Sequence, residues 1–355
     1  MSESLLTNAY RSAIGENPEG GASVLATVTA ASLAAALVCF IVVPEYAVYP
    51  VLVFVATTAV GWVKYQSTFA RLLTLVATAA TVITLGLITV YLFISAVPAI
   101  REHGIDLLLP DAMGFWNPNA GLYSLLPAIW ATVIVTLIAG AIAGPFGVLG
   151  ALFIAQIAPD RVRAAVKPGI EILAGIPSIV YGYIGFRVLN NFVQSTFLDN
   201  GASFLIAGIV VGVMALPTVV SVAEDALSSV PESMQAGSLA MGATRWQTMK
   251  SISIPAAFSG VSAAVILGLG RAIGETMAVA AIMAAGLGLP SPLWDVFDAS
   301  ATLTSLIATQ YGTASEMTVS VLFAAGILLF GIVTGLSVAS QYIEQRMYER
   351  LGGGQ

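Results

Sequence analysis

The sequence predicts an all-α polytopic membrane protein with about eight transmembrane helices, and three observations carry that class. The 355 residues are 58% hydrophobic and only 9% charged, where soluble domains carry about 25% charged residues. Mean hydropathy is +0.92. Several apolar runs reach the ~20 residues that cross ~30 Å of hydrocarbon as helix. The runs are continuous and do not alternate with period two, so strands are not expected.

The predicted spans, in order, are Ala22–Val43, Ala47–Val63, Leu72–Val97, Leu125–Ala143, Pro168–Leu189, Phe204–Val222, Ser259–Ala284 and Thr318–Tyr342. Residues 1–21 are polar with scattered acids, show no cleavable signal peptide and form a predicted cytoplasmic tail. Residues 22–97 hold three N-terminal spans, and 98–124 form a longer external loop. The fourth run is awkward, because Leu125–Ile157 is apolar throughout, about 50 Å as helix at 1.5 Å per residue. Gly144-Pro145 and Gly147 are expected to break it, since proline removes a backbone donor and clashes with the preceding turn. Gly175-x-Pro177 and Tyr181-Gly182-Tyr183 in the fifth span fit either a bend or static packing. A loop over 286–317 precedes the last span, and residues 343–355 form a second cytoplasmic tail.

Charge placement orients this topology. With the N-terminus inside, the inner segments hold Arg11, Lys64, Arg71, Arg161, Arg163, Lys167, Arg245, Lys250, Arg346 and Arg350, ten of the 13 basic residues. The outer segments hold Arg101 alone and carry Glu45, Glu102, Asp106, Asp111, Asp199, Asp295, Asp298 and Glu316. Both termini are therefore expected in the cytoplasm. Net charge is −6 with few lysines, which fits a salt-loving prokaryote and gives no footing for nucleic acid. One cysteine and one histidine exclude an internal disulfide and make a His/Cys metal cluster untenable. Cys39 reads as a packing residue and His103 as a solvated loop residue. Arg187 reads as snorkelling to the headgroups, and Glu171 as facing the first turn of the fifth span.

A polar segment, 224–257, interrupts the apolar pattern. Pro231 suits the start of a helix over Glu232–Ala240, and Gly242 suits a left-handed stop. Thr244 can cap a second helix, from Arg245 to about Ser253, which Pro255 ends. Trp246 and Met249 are available to anchor the pair, and Ala236, Gly237, Ser238 and Ala240 are small enough for another backbone to approach. On spacing alone this is either a docking surface or an ordinary amphipathic connector.

Gly242, nine residues, Ile252, Ser253, Ile254 and Pro255 resemble the cytoplasmic coupling loop of ABC-transporter permeases: Glu-Ala-Ala, three residues, Gly, nine residues, Ile, one residue, Leu-Pro. Isoleucine replaces leucine, and Ala236-Gly237-Ser238 replaces Glu-Ala-Ala, so the acidic contact is missing. ILAGIPSIVYG (172–182), EDALSSVP (224–231), GATRWQT (242–248) and GRAIGETMAV (270–279) together resemble phosphate-specific transport permeases. Gly270, Met277, Ala278 and Val279 favour the C-type over the A-type subunit, whose sequence tends to continue GETAPL.

The resemblance implies a type I ABC importer permease core over 125–342, with a coupling loop over 224–257. It implies ATPase-coupling residues Ala236, Gly237, Ser238, Gly242, Ala243, Thr244, Arg245, Trp246, Ile252 and Pro255. It further implies an A-type permease partner, a cytoplasmic ATPase dimer, an external phosphate-binding protein and a prokaryotic plasma-membrane location. ATP would be bound by the ATPase and no cofactor by this chain, which lacks the Gly-x4-Gly-Lys-Ser/Thr phosphate loop.

Arg271 and Glu275, with Thr276 beside them, are the candidate substrate path. Four residues apart on a helix, Arg271 and Glu275 would share one face and can pair. A mid-membrane arginine costs roughly 2.5–3.5 kcal/mol on insertion scales, and its planar fork suits an oxyanion. The alternatives are an oxyanion site or a structural ion pair. Two rival functions remain at this level. One is an ion- or proton-coupled oxyanion transporter using Arg271 and Glu275, for which no inverted repeat is evident. The other is an intramembrane enzyme, which lacks a catalytic or metal-ligating constellation.

Overall fold

The computed structural model describes residues 20–110, 114–196, 202–283 and 286–350. Most of the predicted N-terminal tail, the last five residues, Asp111, Asp199 and the end of the seventh span at Ala284 lie outside them. Among the described residues six helices are long and apolar enough to cross a membrane, or eight if each of two sharply bent pairs is one span. The all-helical expectation holds, apart from one two-stranded hairpin.

The chain divides into two units at residues 91 and 92. In the first, α1 (Gly20–Val42) and α2 (Val48–Lys64) pack against each other across a 3-10 turn at Pro44–Tyr46. Ala22, Ala26, Thr29, Ser32 and Ala36 form the buried stripe of α1. Thr29 and Ser32 return their hydroxyls to the carbonyls of Leu25 and Thr29, so no polar group is stranded there. Phe69, on α3 (Gln66–His103), is fully buried against Gly61, where any side chain would collide with its ring. Cys39 is half-buried and free, in keeping with a packing role.

The second unit begins within α3, which runs past the predicted span through Pro98 to His103. The segment over 98–124, expected as a loop, is therefore partly helix. It continues through a 3-10 turn at Gly104–Leu108 into the hairpin β1 (Trp116–Asn117) and β2 (Leu122–Tyr123), paired antiparallel as Trp116 with Tyr123. His103 is not a solvated loop residue. Its ring stands edge-on to Tyr123 at 5.1 Å, and its Nε2 is buried without a partner.

The core of this unit is α4 (Leu126–Leu152) against α7 (Phe204–Ser228). The approach is close: a Cβ at Gly208 would lie 2.5 Å from Ile138 Cβ, and one at Gly212 would lie 3.1 Å from the Ala139 carbonyl. Overpacking of this kind costs about 1–3 kcal/mol per site. The break expected at Gly144-Pro145 does not occur, and α4 runs unbroken to Leu152 before a π-helical turn at Phe153–Ile157. A proline removes one intrahelical bond, and contacts of Gly147 with Val219 and Gly150 with Val220 hold the axis beyond it.

Breaks fall elsewhere. The predicted fifth span separates into α5 (Asp160–Gly175) and α6 (Ser178–Ile184), bent by 88° at Ile176-Pro177. The Gly175–Pro177 bend is thus real. Glu171 lies late in α5, near its C-terminus and not in a first turn, which corrects the capping expectation. Arg187 is exposed in the π-helical stretch Gly185–Asn190, 5.9 Å from the Tyr183 ring.

The polar segment folds as α8 (Glu232–Ala240) and α9 (Arg245–Thr248), and a 73° bend leads into α10 (Phe258–Ile273). The predicted seventh span is itself interrupted at Gly274–Thr276 before α11 (Met277–Ile282). The loop over 286–317 contains α12 (Leu303–Gln310), and α13 (Glu316–Arg350) continues as helix beyond the predicted end of the last span.

Candidate translocation site and coupling segment

The interruption of α10 decides where the two candidate charges go. After Ile273 the Gly274 amide closes on the Gly270 carbonyl at 3.1 Å, and the Glu275 amide reaches the Ala272 carbonyl at 3.3 Å. Glu275 thus sits in the break, and the helical geometry that would set it one turn from Arg271 is gone. No ion pair within 4.0 Å joins the two, so the structural ion pair, one of the two alternatives, does not form. Instead a Glu275 carboxylate oxygen accepts from the Ala278 amide at 3.0 Å, satisfying one of the free donors of α11.

Arg271 is exposed and donates from Nη1 to Thr218 Oγ1 of α7 at 3.0 Å. A guanidinium has five N–H donors, so the fork keeps capacity for an anion. Thr276 turns its hydroxyl to the Gly274 carbonyl at 3.1 Å. The break is held from a distance as well: Thr304 Oγ1 of α12 donates to the Glu275 carbonyl at 2.8 Å, and the Leu303 amide donates to Thr132 Oγ1 of α4 at 3.0 Å. The structure therefore gathers Arg271, Glu275 and Thr276 around one helix break and adds Thr218 and Thr304. These two threonines carry no local signal; only the fold brings them to the break.

The polar segment matches its predicted punctuation closely. Pro231 precedes α8, Gly242 has φ +88°, and Thr244 caps α9. The cap is reciprocal: Thr244 Oγ1 accepts from the Gln247 amide at 3.3 Å, and Gln247 Oε1 accepts from the Thr244 amide at 2.7 Å. The Thr-x-x-Gln spacing signals this box, with Gln247 as the second half of the cap that Thr244 begins. Ser238 and Thr248 hydroxyls meet at 3.1 Å and tie α8 to α9.

Met249 and Thr248 are buried and anchor the segment, but Trp246 does not; it is 61% exposed, with Met241 at 87%. Ala236, Gly237, Gly242, Thr244 and Arg245 are also exposed, whereas Ser238, Ala243, Ile252 and Pro255 are half-buried. The second helix is not regular to Ser253, since a π-helical turn occupies Met249–Ser253 and Pro255 lies in the following Ile254–Ala256 turn. The result is a compact polar hairpin of helices with apolar side chains facing outward.

Residues 144–348 match the family model described as binding-protein-dependent transport system inner membrane component. The probable ABC transporter permease protein YqgH of Bacillus subtilis is 37% identical over 268 residues, 73% of this chain and 84% of that protein. The phosphate transport system permease protein PstC of Haemophilus influenzae is 31% identical over 290 residues, 76% of this chain and 90% of that protein. The fold resembles a bacterial alginate ABC transporter solved with its periplasmic protein (TM-score 0.54, 17% identity, 80% of this chain and 98% of that one). It also resembles an inward-facing MetNI methionine ABC transporter (TM-score 0.51, 21% identity, 66% and 99%). At such identities the structural likeness speaks for the fold alone. The matched model and the length and identity of the relatives' alignments establish the chain as a multi-pass membrane protein of the binding-protein-dependent transport system inner membrane component family.

Proposed function

We propose that this chain is the C-type permease subunit of an ATP-driven phosphate importer. The observation that carries the reading is its similarity to a phosphate transport permease over three quarters of its length, and the ordered motifs at 172–182, 224–231, 242–248 and 270–279 support it. The chain would form the translocation path with an A-type permease. An external binding protein would deliver phosphate, and a separate cytoplasmic ATPase dimer would hydrolyse ATP.

Arg271 is the path residue best suited to the anion, being exposed, bound to one neutral hydroxyl and free of a carboxylate partner. Glu275 and Thr276 shape the break beside it. The coupling residues 236–238, 242–246, 252 and 255 would seat in the ATPase. With the family's glutamate absent, Met241 and Trp246 supply apolar anchors of the kind that dominate protein interfaces. The excess of basic residues in the inner segments supports a cytoplasmic location for both termini.

The test is phosphate uptake by proteoliposomes holding the permease pair and the ATPase, with binding protein inside the assay. Uptake is expected to require ATP and the ATPase. Uptake that persists without either, yet collapses with the ion gradient, overturns the importer in favour of a secondary transporter.

A further inference from the structure

The cytoplasmic end of this unit contains a connection that the proposed function leaves unused. Helix α5 has no fully buried residue in the isolated chain, yet it is pinned at three points. Near its start, Arg163 donates through Nε and Nη2 to the Ile154 carbonyl at 2.9 and 2.7 Å, and through Nη2 to the Ala155 carbonyl at 2.7 Å, satisfying carbonyls of the π-helical turn that follows α4. One turn on, Lys167 Nζ meets Glu224 Oε2 of α7 at 2.7 Å and lies 3.9 Å from Asp225. At its end, the Leu173 carbonyl accepts from Tyr181 Oη of α6 at 3.0 Å, which braces the 88° bend.

Glu224 is buried, with its side chain 6% exposed, and its second oxygen accepts from Ser228 Oγ at 3.2 Å. Removing the partner of a buried charge is strongly destabilising, so Glu224 holds Lys167 firmly. The Lys167 ammonium is held above its ordinary pKa chiefly by the Glu224 hydrogen bond, against the opposing pull of desolvation. The position of the pair matters most. Glu224 lies one turn before the end of α7, and Pro231 and α8 follow immediately.

At the other end of the connection, α6 packs on α11, where a Cβ at Gly182 would lie 2.7 Å from Ala278 Cα. Ala278 is the residue whose amide Glu275 caps. Base of α7, α5, bend, α6 and α11 thus form a continuous chain of contacts.

We infer that α5 is a strut, pivoting at Arg163 and latched by Lys167–Glu224, that relays displacement of the coupling segment to the Gly274–Thr276 break by a route separate from α10. The inference rests on the importer reading. Lys167, Glu224 and Tyr181 are positioning residues in it, and none touches the anion.

The test uses the complete reconstituted complex, with inorganic phosphate as the probe, and reads phosphate transported per ATP hydrolysed. Lys167→Met and, independently, Tyr181→Phe are expected to lower that ratio at least fivefold while ATP hydrolysis stays within twofold of wild type. Lys167→Arg is expected to restore most of it. Tyr181→Phe alters no charge and guards against misfolding of the lysine variant. If both variants keep the wild-type ratio, or if transport and hydrolysis fall together, the strut is overturned and the importer reading stands. If the wild-type complex itself shows no ATP-dependent uptake, the importer reading is overturned and takes the strut's task with it.

Discussion

The two helix interruptions that matter most here are held in opposite ways. The Gly242–Thr244 turn is self-sufficient: a left-handed glycine, a reciprocal cap from Thr244 and Gln247, and a Ser238–Thr248 clasp all lie within eleven residues of one another. The Gly274–Thr276 break is only partly closed by bonds within its own segment. Its outward support comes from Thr304, and its charged neighbour Arg271 is oriented by Thr218, 53 positions away. A turn closed by local bonds keeps its shape when the surrounding helices move. A break closed by remote hydroxyls changes shape with them. The first suits a rigid docking element and the second a site that must bind and release.

This contrast can be broken by substitution, and the largest effect is expected at Arg271. Arg271→Gln keeps a donor for Thr218 and removes the charge, so phosphate uptake in the reconstituted complex should fall at least tenfold with assembly intact. Arg271→Lys should recover little of it, because a point charge does not reproduce a planar fork. Uptake at wild-type rates in Arg271→Gln would remove the residue from the path. Next in size is Trp246→Ala. This largely exposed side chain contributes little packing in the isolated chain, so thermal stability should hold while affinity for the ATPase drops by about 2 kcal/mol, roughly thirtyfold. Titration of labelled ATPase onto the membrane subunits measures it.

Thr304→Val sharpens the comparison from the other side. It preserves shape and deletes the hydroxyl that satisfies the Glu275 carbonyl, at a cost of about 1–3 kcal/mol. The same hydroxyl lies 3.1 Å from that of Thr302, the cap of α12, so the loss is felt at the break and at α12 and should slow phosphate uptake several-fold while leaving ATPase docking untouched. If docking weakens equally, the two interruptions are not mechanically distinct.

These expectations also mark how far the sequence could be read. The apolar runs settled the helical class, because twenty continuous apolar residues have few alternatives to a buried helix. Gly242, Thr244 and Pro231 were legible because each acts through its own backbone and a neighbour three or four residues away. Pro145 misled for the same reason: its local effect is helix-breaking, but packing of α4 on α7 keeps the axis continuous. Arg271 and Glu275 were found by their cost in hydrocarbon, while their relation was not, because four-residue spacing has meaning only if the helix continues. Thr218 and Thr304 are ordinary hydroxyl residues in apolar or mixed surroundings, and their partners are fixed by tertiary contacts. Trp246, available as an anchor by its aromatic character, is exposed instead, since that character alone does not say whether the face it covers belongs to this chain or to another.

The smallest effect belongs to the cap. Thr244→Ala removes the oxygen that accepts the Gln247 amide, and Gln247→Leu removes the oxygen that accepts the Thr244 amide. Each should cost about 1 kcal/mol, within the 0.5–2 kcal/mol of N-cap losses, and the double variant should cost less than the sum because the bonds are reciprocal. Gly242 sets the upper bound for the same turn: Gly242→Ala forces a Cβ into a left-handed backbone, costing about 1–2 kcal/mol with open space around it and no clash to relieve. Hydrogen exchange of the 242–248 amides in the intact complex distinguishes the cases. Faster exchange confined to that turn, with the 274–276 amides unchanged, is the result a locally closed element requires. Spread of the change to the break would show that the two interruptions share one support.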